Sequence, residues 1–275
     1  MIYIAAALYY EANPFIDILG LKKDMFSKHF QVFKNEDVTL IVTGTDSVSC
    51  SAAVTYMLTF YSIKDDDLFF NIGICGAVSH EIKKGTIILI NKIVSHDSGK
   101  AFYPEILIKH PFPEGSIETF SRVVSSLDSV HEDFIDMEAY GASKAASVFL
   151  PLQNIYILKI VSDYLDTSSI GKNDVTQYIG ESTPIIINFM NDLKKIFSRR
   201  KDIFSHDEYS LLNDIAVNLK LSECMKTEFN KLAKQYKIRH GNINEVSEPY
   251  LKVICKSKNE GKIYFAKLKS RLNEL

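Results

Sequence analysis

The chain has 275 residues, enough for one large domain or for a domain of about 200 residues with an appendage. Its composition is that of a globular protein, and no apolar run reaches the ~20 residues of a membrane span. The opening Met1 to Leu8 has no basic lead and ends too early for a signal peptide, so the expected location is cytoplasmic. Cys50, Cys75, Cys224 and Cys255 are scattered with no CxxC pair, which argues against a disulfide framework or a zinc site and predicts small buried thiols.

The net charge of −2 conceals an asymmetry. Residues 1–197 hold 16 Lys+Arg against 24 Asp+Glu, whereas 198–275 hold 16 against 10. The change of sign at Ser198-Arg199-Arg200-Lys201 predicts a boundary between an acidic domain, 1–197, and a basic module, 198–275.

Apolar runs at 2–8, 38–43, 68–74, 86–94, 133–137 and 155–161 read as strands. Ser47 to Tyr61 reads as a helix, with Val54, Met57, Leu58 and Tyr61 on one face, and Ala139 to Phe149 as a second, whose small residues permit close approach to a sheet. Thr183 to Phe197 makes a third, with Pro184 suited to its first turn. The alternation predicts an α/β layer architecture. The stretch 97–132, with Pro104, Pro111 and Pro113, reads as loop that can cover a ligand.

Beyond 198 the chain reads as helical. Tyr209, Leu212, Ile215, Ala216 and Leu219 share a face, and Ser222 caps a helix carrying Met225, Phe229, Leu232 and Tyr236 that stops at Gly241. Further helices are predicted over Ile243 to Lys256 and Lys262 to Leu272. Residues 214–232 carry a weak helix-turn-helix pattern, against which stands the blander reading of an oligomerisation or lid module.

Glu11, Glu138 and Asp163 each fall near the end of an apolar run, where open α/β sheets bind ligands. Glu11 and Glu138 also sit at predicted helix starts, where negative charge is favourable without any catalytic role. Adjacent strand residues point to opposite faces, so His96-Asp97 reads as structural, and the other histidines lack metal-ligand spacing. No metal or cofactor is expected.

Five ordered blocks are similar to the nucleoside phosphorylase and nucleosidase superfamily, most closely to the methylthioadenosine/S-adenosylhomocysteine nucleosidases. They are Ala6-Ala7-Leu8-Tyr9-Tyr10-Glu11, Val42-Thr43-Gly44-Thr45-Asp46-Ser47-Val48, the glycine-rich turn Asn71 to Val78 with Lys84 to Ile88 after it, Asp136-Met137-Glu138-Ala139, and Ser162-Asp163. The resemblance covers about 1–197. It implies a three-layer α-β-α sandwich with a twisted mixed central sheet, here followed by a small all-helical module. Among residues, it implies that Glu11 activates water, Met137 and Glu138 hold the ribose, Asp163 assists the leaving purine, and Gly73, Ile74 and Gly76 form the turn beside the nucleophile. It also implies a homo-oligomer, with a dimer favoured.

The chemistry asks for such groups. Cleaving an N-glycosidic bond builds positive charge on the ribose and negative charge on the base, so a protonated Asp163 can donate to purine N7 while a Glu11 carboxylate deprotonates water on the opposite face. Phosphorylases of the superfamily hold phosphate with arginines, whose planar forks match its oxygens. Arg122 is the single arginine in 1–197, and Asn71 and Ile74 stand where the related phosphorylases place an arginine and a serine. Water is therefore the predicted nucleophile. Phosphorolysis remains an alternative, as does a non-catalytic nucleoside sensor whose basic tail contacts a partner or nucleic acid. The departures from the pattern are Tyr9 and Tyr10, where acids are common, and a short 97–132 region. Phe102, Tyr103, Phe120 and Phe134 are the candidates to stack on the base.

Overall fold

The computed structural model describes residues 1–64, 66–124, 130–165, 171–198 and 203–273, and the chain divides into two compact units, Met1–Arg199 and Arg200–Leu275. Of the predicted boundary Ser198-Arg199-Arg200-Lys201, only the Ser198 backbone falls within the described residues.

In the first unit, β1 (Ile2–Ala6) alternates between two cores. Ile2, Ile4 and Ala6 pack with Phe15, Ile186, Met190 and Leu193, whereas Tyr3 and Ala5 pack with Val54, Met57 and Ala142. The first set belongs to helices α1 (Tyr9–Leu19) and α4 (Lys172–Ser198), the second to α2 (Ser47–Phe60) and α3 (Ala139–Ala146). A helical layer therefore covers each face of the sheet, which is the expected three-layer sandwich.

The sheet is mixed. Its remaining strands are β2 (Lys22–Lys23), β3 (Gln31–Lys34), β4 (Val38–Val42), β5 (Leu68–Ala77), β6 (Ile87–Ser95), β7 (Ala101–Phe102), β8 (Glu114–Thr119), β9 (Phe134–Asp136) and β10 (Ile155–Asp163). Parallel β4, β1, β5 and β10 run side by side. From β10 the sheet continues through antiparallel β6 to β8 and β9, and β9 pairs back antiparallel with β5, so β5, β10, β6, β8 and β9 close a ring. Closure brings the ends of β5, β9 and β10 together.

Several elements differ from the sequence expectation, among them the short strands β2, β3 and β7, which it does not contain. Residues 9–19 form α1, of which the sequence reading gives only a helix start at Glu11, and Pro14 lies inside it. An interior proline costs ~3 kcal/mol, but buried Ala12, Phe15 and Ile16 return more, at about 1.5–3 kcal/mol for each large side chain. The predicted loop 97–132 contains β8, a strand with little apolar signal that is held by β6 and β9 on its two sides. Pro184 lies inside α4 rather than in a first turn, because the helix begins at Lys172.

The second unit comprises α5 (His206–Asn218), α6 (Glu223–His240), α7 (Asn244–Leu251) and α8 (Lys258–Asn273) around Ile215, Leu219, Phe229, Ile243 and Leu268. As expected, Ser222 caps α6 by accepting from the Met225 N–H, and Gly241 ends it at φ 77°. The helix predicted over 243–256 stops at Leu251. A Cβ at Gly261 would lie 1.8 Å from the Leu219 carbonyl oxygen, so glycine permits α8 to pass this close to the end of α5.

Candidate active site

Glu11 is the third residue of α1. Its Oε2 accepts from the Leu8 N–H at 2.9 Å, the return half of a capping box, and its Oε1 accepts from the Ile74 N–H of β5 at 3.2 Å. Glu11 thus lies in a helix's first turn, but it is buried rather than solvated, and the same geometry fixes the carboxylate between two elements. Burial raises its pKa, opposed by the Leu8 N–H, the nearby Lys159 ammonium and the Ile74 N–H. Gly73 supplies the space, since a Cβ there would lie 3.2 Å from Glu11 Oε1 and 3.6 Å from Lys159 Nζ.

The turn between β9 and α3 carries the next two acids. Asp136 caps α3 through Oδ2, which accepts from the Glu138 and Ala139 N–H groups at 3.2 and 2.7 Å, while Oδ1 accepts from Thr119 Oγ1 at 2.7 Å. Oδ2 also lies 2.8 Å from Lys159 Nζ, with both side chains 1% exposed. Glu138 accepts from the Asp46 N–H at 3.2 Å. Asp46 itself has φ 85°, an uncommon conformation for a non-glycine residue, stabilised by its carboxylate accepting from Val48 N–H, Ser49 N–H and Ser49 Oγ. The second glycine-bearing block therefore aims a backbone donor at Glu138.

Lys159 shares its surroundings with Asp136, Glu138 and Glu11. Charges 4 Å apart interact by about 4 kcal/mol at an effective dielectric of 20, so one ammonium does not neutralise all these acids. Burial lowers the Lys159 pKa, but the carboxylates outweigh it and hold the amine above its usual range. Glu138 carries the excess: burial, followed by Asp136 and Glu11 against the opposing Lys159, pushes it up to about 7.

Asp163 ends β10 after a register shift at Val161/Asp163. Its Oδ1 accepts from the Leu165 N–H at 2.9 Å, and its Oδ2 lies 2.6 Å from Ser162 Oγ, which also lies 3.2 Å from the Cys75 carbonyl oxygen. Ser162 has one hydroxyl hydrogen for these two acceptors. A Cβ at Gly76 would meet Asp163 Oδ1 at 3.1 Å, so glycine keeps this approach open.

These groups surround a cavity of about 200 Å³. Of the predicted site residues, Glu11, Ile74, Gly76, Phe120, Met137, Glu138 and Asp163 line it, and Gly73 lies behind Glu11. Three of the four aromatic candidates do not. Phe134 is 1% exposed and its ring packs in the core over Gly115, Phe102 is buried in the same core, and Tyr103 faces solvent off the cavity wall. The sequence expectations do not include Lys159. Its signal is a lysine inside an otherwise apolar strand, because lysine is almost never fully buried unpaired. They also do not place Arg122, which lines the cavity. Among the described residues, no group of three or more His, Cys, Asp or Glu side chains is arranged to hold a metal.

A sequence profile of the phosphorylase superfamily matches residues 6–127. No curated protein matches the sequence. Among solved structures, a Helicobacter pylori MTAN mutant with 5′-methylthioadenosine in its active site aligns over 70% of this chain and 98% of its own, at 14% identity and a TM-score of 0.59. The 5′-methylthioadenosine/S-adenosylhomocysteine nucleosidase of S. pneumoniae gives the same coverages at 18% identity and 0.58, and a futalosine hydrolase mutant of Helicobacter pylori gives them at 14% and 0.58. The resemblance to the nucleoside phosphorylase and nucleosidase superfamily is thus carried by both sequence profile and fold.

Proposed function

We propose that residues 1–197 form a nucleosidase domain that hydrolyses the N-glycosidic bond of a purine nucleoside of the 5′-methylthioadenosine or S-adenosylhomocysteine kind. The observation that carries this reading is the placement of two differently held acids on one cavity, Glu11 clamped by two backbone N–H groups and Asp163 hydrogen-bonded to Ser162. In the proposed step, Glu11 takes a proton from water as its oxygen bonds to ribose C1′. The C1′–N9 bond breaks, its electron pair passes to the purine, and Asp163 protonates N7. Glu138 accepts from ribose hydroxyls and its charge favours the cationic ring, with Met137 against the sugar.

Hydrolysis is preferred to phosphorolysis on electrostatic grounds. A phosphate in the nucleophile's place would face the Glu11 carboxylate, while the nearby ammonium of Lys159 is already engaged by Asp136. The second reading, phosphorolysis, draws on Arg122, which lines the cavity and suits phosphate. Its chain neighbours Phe120 and Val124 pack with Leu165, next to Asp163, which associates Arg122 with the leaving-group end. The remaining module, 198–275, is read as a separate helical domain, and assembly as a homodimer follows the resemblance alone. Release of free base from methylthioadenosine by the purified chain, lost in Glu11→Gln and in Asp163→Asn, tests the proposal. Turnover unaffected by both substitutions refutes it.

A further inference from the structure

Next to the cavity, β8 carries a buried acid that the proposed chemistry does not use. Glu118 is 3% exposed. Its Oε1 lies 2.7 Å from His96 Nδ1, and its Oε2 accepts from the His131 N–H at 2.7 Å, with His131 Nδ1 3.8 Å away. Burying a carboxylate without partners is costly, and here each oxygen has a hydrogen-bond partner. The His96 imidazole thus bonded stacks on Phe120, with ring centroids 4.1 Å apart and planes at 25°.

The backbone around this stack is tied as well. His96 N–H donates to the Thr119 carbonyl at 3.0 Å, and Phe120 N–H donates to the Asp136 carbonyl at 2.9 Å. Phe120 is held by its backbone to the strand that delivers Asp136 and Glu138, and by its ring to an imidazole whose orientation Glu118 sets. It is also the one predicted stacking aromatic that lines the cavity, where 3% of its surface is open. It shares an apolar cluster with Ile135 and Leu165 at the Asp163 end, where the proposed chemistry puts the departing base.

We infer that His96 and Glu118 are positioning residues that hold the Phe120 ring as the stacking wall of the base subsite. The inference rests on reading the cavity as a nucleoside site. A flat π-surface recognises any purine, so this device sets affinity for the base rather than the rate of bond cleavage. A merely structural role for Glu118 would instead change thermal stability and leave KM alone.

The test uses the full chain with adenine as ligand, by calorimetry, and methylthioadenosine as substrate. His96→Gln keeps a partner for Glu118 but removes the ring. Stacked aromatic pairs contribute enough for a loss of about 2- to 10-fold, expected as weaker adenine binding and a matching rise in KM, with kcat within about 2-fold of wild type. The double variant His96→Phe/Glu118→Gln restores a flat ring without leaving a buried charge unpaired, and is expected to regain adenine affinity to within about 2-fold of wild type. The inference is overturned if His96→Gln leaves adenine affinity and KM unchanged, if it lowers kcat alone, or if the double variant melts like wild type yet binds adenine as weakly as His96→Gln. Wild-type protein that binds adenine without cleaving nucleosides contradicts the hydrolase reading only, and the adenine affinities then decide this one. Wild-type protein that does not bind adenine contradicts both.

Discussion

Gly73 pairs in register with Lys159 across β5 and β10, and the side chain it lacks leaves the volume that the Lys159 amine and the Glu11 carboxylate share. A methyl group at 73 would push the Glu11 carboxylate, the nearer of the two, by a few tenths of an ångström and so disturb its bond from the Ile74 N–H. Gly73→Ala is therefore expected to lower kcat by about 10- to 100-fold through misplacement of the base, with a smaller change in KM. Steady-state kinetics on methylthioadenosine reads this directly, and unaltered kcat excludes the tight-packing account.

Lys159 is buried against Asp136, so its removal leaves a carboxylate uncompensated in the interior. Lys159→Met is expected to destabilise the folded chain by about 3–5 kcal/mol, and the pair Lys159→Met/Asp136→Asn by clearly less. Urea unfolding of the four proteins in this double-mutant cycle separates the outcomes. Additive losses would mean that the two residues do not interact.

Glu138 gives a signed pH dependence. Its folded pKa of about 7 lies above that of an unfolded glutamate, so between about 4.3 and 7 the folded state binds more protons than the unfolded chain. Stability contributed by this group is present at low pH and is lost as pH rises through that window, by on the order of 3–4 kcal/mol. Glu138→Gln, which keeps an acceptor for the Asp46 N–H, is expected to flatten this slope in denaturation curves taken from pH 5 to 8. An unchanged slope assigns the proton uptake elsewhere.

Function has the opposite sign at the same residue. If ionised Glu138 accepts the ribose hydroxyls, kcat/KM for methylthioadenosine rises with pH through about 7, and Glu138→Gln removes that limb along with most of the activity. A profile that is flat across neutrality excludes the assigned role.

Much of this arrangement is legible in the residues. The five blocks mark the strand ends that carry Glu11, Glu138 and Asp163, and alternating apolar runs mark the strands that deliver them. What the pattern does not show depends on partners distant in sequence. The α1 helix persists despite Pro14 because its inner face is buried, and β8 persists with Ile117 as its only large apolar residue because neighbours pair with it on both sides. The aromatic candidates illustrate the same limit. Phe120 and Phe134 are equally apolar in sequence, yet one lines the cavity and the other fills the core over Gly115, a difference set by strand pairing and invisible to composition.

In the proposed reaction, water activated at Glu11 is the nucleophile. The most direct test follows base release from methylthioadenosine in phosphate-free buffer, for the wild-type chain and for Glu11→Gln, with phosphate then added to each. Water as nucleophile requires release by wild type without phosphate, free sugar as the co-product, no acceleration on adding phosphate, and a loss of at least about 100-fold in Glu11→Gln. Release that requires phosphate and yields a sugar 1-phosphate would contradict it.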